Sequence, residues 1–230
     1  MKAQVSAFII LGLAMLFAAF LLFFITLYST STTPFIEGTP PFYVQSCLET
    51  ALKQSILEYG AFGPNNNPKY KNITFGYNDS ILLQSESEML KTITETTKMK
   101  ADDCTHSGQE SNKFATSGNA LLTLSIKENK ITASYQQRIE YNTAQQTATR
   151  TQFRYELPTR FLQTFRLLHK RVEDYQQTHL VRSIRTMQQL NQGNYSISYI
   201  PDNNHIILEI IDKQDTFNTE PFRFYTILVN

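Results

Sequence analysis

No charged residue occurs between Lys2 and Glu37, and within that span residues 8–28 read FIILGLAMLFAAFLLFFITLY. As a helix this run is long enough to cross the roughly 30 Å hydrocarbon core of a bilayer. Most of its residues are Leu, Ile or Phe, so insertion is favoured by roughly 4–8 kcal/mol. A cleaved secretory signal is the competing reading. Its apolar region is shorter, roughly 7–15 residues, and ends at a small-residue cleavage site. The length here argues for an uncleaved anchor over residues 1–28, with lipid contact along residues 5–28. Lys2 and the terminal amine precede the run and an uncharged Ser/Thr tail follows it. The positive end stays on the cytoplasmic side, which places the remainder of the chain extracytoplasmic at a cell membrane, as a single-pass protein. Ala14 and Ala18 permit close helix contact, but Ala is too common here to mean more.

Residues 29–41 carry Pro34, Pro40 and Pro41. They read as an extended spacer, since proline ends helices and stiffens linkers. Residues 42–230 are enough chain for one domain or two small ones sharing a core. Lys plus Arg is 21 and Asp plus Glu is 20, a balance that gives no global case for a nucleic-acid partner. With only 8 glycines, few positions allow close backbone approach to a phosphate or cofactor. No cofactor is expected.

In residues 42–59, Val44, Leu48, Ala51, Leu52, Ser55, Ile56 and Tyr59 recur at helical spacing, with Gly60 as a stop. A Gly/Pro/Asn loop comes next, then a short apolar piece around Ile81, then a second helix from Glu86 to about Lys100, with Cys104 just past its end. These segments form a helical subdomain over residues 42–110. Strict alternation takes over in residues 111–230. Leu122, Leu124 and Ile126 turn at Glu128-Asn129 into Ile131, Ala133 and Tyr135, with Ile139 and Tyr141 continuing that face. A third strand carries Phe153, Tyr155 and Leu157. Pro158 then opens a long helix over residues 159–190, with Phe161, Phe165, Leu168, Val172 and Tyr175 on one stripe and Val181, Ile184, Met187 and Leu190 resuming it. Strands are expected at residues 195–200, 206–211 and 222–229, the middle one central and covered on both faces because IILEII is almost wholly apolar. The fold class is α+β, an antiparallel sheet packed on the long amphipathic helix.

The opening Met1-Lys2-Ala3-Gln4-Val5-Ser6-Ala7-Phe8-Ile9-Ile10 resembles the class III signal peptides of archaeal type IV pilin-like proteins, in which a short basic leader precedes a Gln-x-Ser motif and the helix. The resemblance implies peptidase cleavage between Ala3 and Gln4. Where that family usually carries Glu after the cut, this chain has Phe8, and where a pilin helix usually runs on into the head, this chain has the proline spacer. The later layout, with Ser46-Cys47-Leu48-Glu49 on a first helix and a second Cys beyond, is similar to uncharacterised archaeal membrane-anchored proteins and implies no activity.

Cys47 and Cys104 are the only cysteines. In an oxidising compartment they are expected to pair. The alternatives are two buried thiols or a nucleophilic cysteine. His169 and Glu173 stand four apart on the long helix, close enough for a metal or acid/base couple, but a surface pair accounts for them better. Arg160, Arg166, Lys170, Arg171, Arg182 and Arg185 give that helix a local positive excess that could hold an anionic polymer. Its aromatics fall on the buried stripe, leaving no base-stacking platform. Asn72-Ile73-Thr74, Asn78-Asp79-Ser80 and Asn194-Tyr195-Ser196 are glycosylation sequons. No HExxH, CxxC, phosphate loop or Gly-x-Ser-x-Gly elbow is present, so no catalytic or metal-binding residue is assigned.

The expectation is a non-catalytic, pilin-like structural or interaction protein of the cell surface, meeting a protein or cell-surface partner, with no oligomeric state implied. A binding module for a solute or anionic polymer is the second reading. A membrane-anchored hydrolase of unspecified class is the third.

Overall fold

The computed structural model describes residues 38–63, 69–70, 73–78, 80–81, 83–143, 146–178, 188–203, 205–217 and 220–229. The chain divides into two units, Met1–Ile36 and Glu37–Asn230. The expected membrane run, its leader at Ala3 and Gln4, and Arg182 and Arg185 lie outside the described residues. Among the described residues no helix is long and apolar enough to cross a membrane. Among the described residues the second unit is a mixed α/β fold with three helices and largely antiparallel sheets.

Helix α1 (Pro40–Phe62) starts on Pro40 and Pro41, so these two prolines open the helix and do not extend the spacer. Proline suits this place because its φ is already helical and the N–H it lacks has no intrahelical acceptor in the first turn. Gly63, at φ 66°, ends the helix with its N–H on Tyr59 O at 2.8 Å. Val44, Leu48, Leu52 and Ile56 are fully buried, and Cys47, Ala51, Ser55 and Tyr59 form a second buried row beside them. So wide a stripe reflects three sets of neighbours: the next helix, the three-stranded sheet and the larger sheet all pack on α1. Residues 42–110 and 111–230 both lie in the second unit.

Strands β1 (Lys69–Tyr70), β2 (Ile73–Asn78) and β3 (Ser80–Ile81) lead into α2 (Glu86–Gly108). Ser85 and Glu88 close a reciprocal capping box at its start. The helix runs roughly two turns past the expected stop at Lys100, because Ala101, Thr105 and Gly108 continue the buried row of Met89, Ile93 and Thr97. Cys104 is therefore inside α2, not beyond it.

Strands β4 (Phe114–Lys127), β5 (Lys130–Asn142) and β6 (Thr147–Pro158) form an antiparallel sheet in that order. The Glu128-Asn129 turn lies where expected, with Lys127 opposite Lys130. The β4–β5 register shifts between Ser117 and Leu121, where Gly118 has φ 76°. Gln137, buried on β5, donates its side-chain amide to Ser117 O at 3.2 Å across this irregularity.

Helix α3 (Phe161–Thr178) begins after Pro158, which closes β6. It is shorter than the expected span to residue 190. Gln188–Gln192 is strand β7, so Leu190 is a strand residue. Val181, Ile184 and Met187 of the expected stripe lie outside the described residues, and Leu190 alone cannot distinguish the two periods. Strands β8 (Tyr195–Asp202), β9 (His205–Phe217) and β10 (Glu220–Val229) complete a seven-stranded sheet ordered β1-β2-β10-β9-β8-β7, with β3 on β2. All its pairs are antiparallel except β2 with β10. Strand β9 is interior as expected, but only one face is fully covered. Ile206, Leu208, Ile210 and Asp212 are buried, whereas Ile207, Glu209 and Ile211 are half-buried, so IILEII reads as more enclosed than it is.

Tyr59 of α1, Phe161 and Phe165 of α3, and Phe222 and Phe224 of β10 meet in one aromatic core. Phe161 lies 5.2 Å, centroid to centroid, from Phe224, within the range of favourable ring pairs. Gly60 allows this closeness: a Cβ there would stand 2.6 Å from Arg223 O and 2.8 Å from Phe222 Cζ.

Candidate functional site

Cys47 of α1 and Cys104 of α2 are joined by a disulfide, with Cα atoms 5.7 Å apart. The two positions meet because antiparallel packing sets the first turns of α1 beside the last turns of α2. Tyr43 adds a second link, donating its hydroxyl hydrogen to Cys104 O at 3.1 Å.

The four described members of the expected basic patch fall in different surroundings. Arg160, just ahead of α3, turns inward. Its Nε is 3.4 Å from the fully buried carboxylate of Asp212, one guanidinium nitrogen donates to Tyr195 Oη at 2.9 Å, and another bonds Gln214. Arg171 contacts Asp174 at 3.3 Å and Gln192. Arg166 forks onto Glu86 at 2.6 and 3.1 Å, with Glu128 at 3.8 Å. Lys170 is exposed. Arg160 and Arg171 thus meet the β7–β9 side and Arg166 the start of α2, so these residues do not form one continuous positive surface.

Around Arg166 and Lys170 runs a groove of about 630 Å³, lined also by Phe165, His169, Glu173 and Asp174 of α3 and by Ser85 and Glu86 at the start of α2. His169 lies tilted against Phe165 with centroids 4.6 Å apart, and its Nε2 lies 2.8 Å from Gln84 O. A carbonyl oxygen only accepts, so Nε2 carries the proton and a neutral ring keeps Nδ1 as an acceptor. The Arg166 guanidinium holds the Glu86 carboxyl below the usual range. Arg166 and Lys170 face Glu86, Glu173 and Asp174, making the groove a mixed-charge surface. Among the described residues no group of three or more His, Cys, Asp or Glu is placed to hold a metal.

Two acidic residues, Asp212 and Asp215 of β9, form a buried polar centre that the sequence reading missed. Asp215 Oδ2 accepts from Thr159 Oγ1 at 2.5 Å and from Arg160 N–H at 2.6 Å. Thr159 Oγ1 in turn accepts the Phe161 N–H at 3.1 Å. Asp215 therefore braces the start of α3 from a distant strand, holding Thr159 and the Arg160 N–H while Thr159 itself takes the first N–H of the helix. Asp212 Oδ1 accepts the N–H groups of Gln214 at 2.9 Å and Asp215 at 3.3 Å. Burial pushes the Asp215 carboxyl above its ordinary range, with Asp212 adding to the rise and the bonds from Thr159 and Arg160 opposing it. A cavity of about 430 Å³ opens beside Asp215, walled by Lys53, Tyr155, Leu157 and Pro158. Lys53 is held by Glu49 at 2.6 Å. The one available sequence signal was polar: two aspartates at the end of an apolar strand.

Comparison of the chain with known protein families, with curated proteins and with solved structures gives no match in any of the three.

Proposed function

We propose that the protein is a single-pass, membrane-anchored cell-surface protein that works without catalysis, presenting its α/β domain to a protein or cell-surface partner after pilin-like export. The apolar run at residues 8–28 supplies the anchor, with Lys2 on the cytoplasmic side. The observation that carries the extracytoplasmic placement is the Cys47–Cys104 disulfide, because such bonds persist in oxidising compartments and are rare in the cytosol. Fractionation tests the anchor: the full-length protein pellets with membranes and is released by detergent. Protease added outside intact cells removes the domain. Recovery in the soluble fraction without detergent refutes the proposal. The native N-terminal mass reports the export route, Gln4 for pilin-like processing and Met1 for a plain signal anchor.

The α3 groove favours a second reading, a binding module for a solute or an anionic polymer. It brings Arg166 and Lys170 beside an aromatic wall in about 630 Å³, a size typical of ligand sites. Salt-sensitive retention on heparin resin supports this reading, and unretarded passage removes it.

A further inference from the structure

We infer that Asn194 carries an N-linked glycan that shields the β7 edge of the seven-stranded sheet. The inference rests on the extracytoplasmic placement proposed above. Gly193 and Asn194 form the turn between β7 and β8, closed by the Gln192–Tyr195 pair, with Gly193 at φ 56°. Asn194 is exposed. Its backbone carbonyl is fixed by the Lys213 N–H at 2.9 Å, while its side chain makes no hydrogen bond among the described residues. The other two sequons are placed differently: Asn72 lies outside the described residues, and Asn78 is within β2, paired with Ser80 of β3.

Strand β7 explains what a glycan would do here. It pairs only with β8 among the described residues and so forms an edge of the sheet. Its sequence, Gln-Gln-Leu-Asn-Gln, has no charge and no proline, the devices by which exposed edges usually avoid pairing with other chains. Uncharged Gln/Asn-rich strands are prone to such stacking. A bulky, hydrated glycan on Asn194, two residues past the end of β7 in the hairpin turn, hinders the approach of a second strand at that end of the edge.

The transfer needs a lipid-phosphate-linked oligosaccharide as co-reactant. The Asn194 amide nitrogen bonds to the sugar anomeric carbon as the bond from that carbon to the phosphate oxygen breaks. The lipid phosphate leaves with the electron pair, the amide proton passes to a base of the transferring enzyme, and nothing is oxidised or reduced. Ser196 is only 3% exposed in the fold, so the sequon is read before β8 packs.

The test uses protein purified unreduced from its native membranes, with thiol titration and peptide mass mapping on one sample. The expected result is no titratable thiol and a saccharide mass increment on the peptide containing Asn194, lost in Asn194→Gln. An unmodified Asn194 in disulfide-bonded protein overturns the glycan and leaves the export reading standing. Two free thiols with an unmodified Asn194 overturn both. For the shielding role, Asn194→Gln forms sedimentable aggregate faster than wild type at equal concentration, and equal rates overturn that role.

Discussion

The ring of Tyr43 occupies the space in which Gly108 would carry a Cβ. At this contact the first turn of α1 meets the last turn of α2, beside the bond from Tyr43 Oη to Cys104 O. Gly108 is helical and buried, so its small size serves packing here. Gly108→Ala forces the stiff ring aside and is expected to destabilise the domain by about 1–3 kcal/mol, the usual range for overpacking. Because the two residues touch, Tyr43→Ala combined with Gly108→Ala costs less than the two single changes summed. Urea unfolding of the four proteins measures both effects, and strict additivity contradicts the contact.

The disulfide closes a loop of 57 positions between the same two helices. On the chain-entropy account it stabilises the fold by about 4 kcal/mol. Cys47→Ser with Cys104→Ser is expected to lower stability by up to that amount. The α1–α2 interface is expected to persist, because Leu48, Leu52, Met89 and Ile93 of the two helices are buried apolar side chains. Circular dichroism of the double variant therefore keeps its helical signal at low temperature, and loss of that signal contradicts the independence of the interface.

The helices and most strands were legible because each buries one periodic face. The apolar rows of α1, β5 and β6 stand in the linear pattern and in the core alike. Element ends were less legible, since they depend on partners distant in sequence. Pro40 and Pro41 look like linker until Thr39 turns extended ahead of them. Lys100 looks like the end of its helix until Gly108, roughly two turns on, packs on Tyr43 of α1. The parallel pairing of β2 with β10 joins residues at opposite ends of the domain, and no local signal reports it. The same holds at the start of α3, where an aspartate in a strand holds Thr159 and the Arg160 N–H ahead of the helix. In the basic patch the charges were legible but their partners were not, because Glu86 and Asp212 come from other elements.

Asp215 makes the domain's stability depend on pH in a direction opposite to that of a paired surface carboxylate. Its carboxyl titrates above the ordinary value of 3.8 in the fold, so between the two values the folded state binds more protons than the unfolded one. Stability then falls as pH rises through this window. Glu86, held low by Arg166, acts the other way and loses its contribution as pH falls through its folded value. Asp215→Asn removes the first slope. The variant is expected to be less stable at acid pH, because Asn does not reproduce the short bonds to Thr159 and Arg160. It narrows the gap to wild type towards neutral pH, where the buried charge burdens only the wild type. Denaturation midpoints of both proteins across the acid range measure the slopes, and parallel curves refute the assignment.

Arg166 and Glu86 give a direct test of whether α3 meets anionic partners. Their forked bond is solvent-exposed on both sides, each side chain being about half accessible. A pair of this kind contributes roughly 0–1 kcal/mol to stability, so Glu86→Gln leaves the fold nearly unchanged. It also removes one negative charge from the groove and frees the Arg166 guanidinium beside Lys170. If the groove takes anionic polymers, Glu86→Gln elutes from heparin resin at higher salt than wild type, and Arg166→Ala with Glu86→Gln reverses the gain. If all three proteins elute together, the charges of α3 serve folding and solubility, and the partner of the domain binds elsewhere.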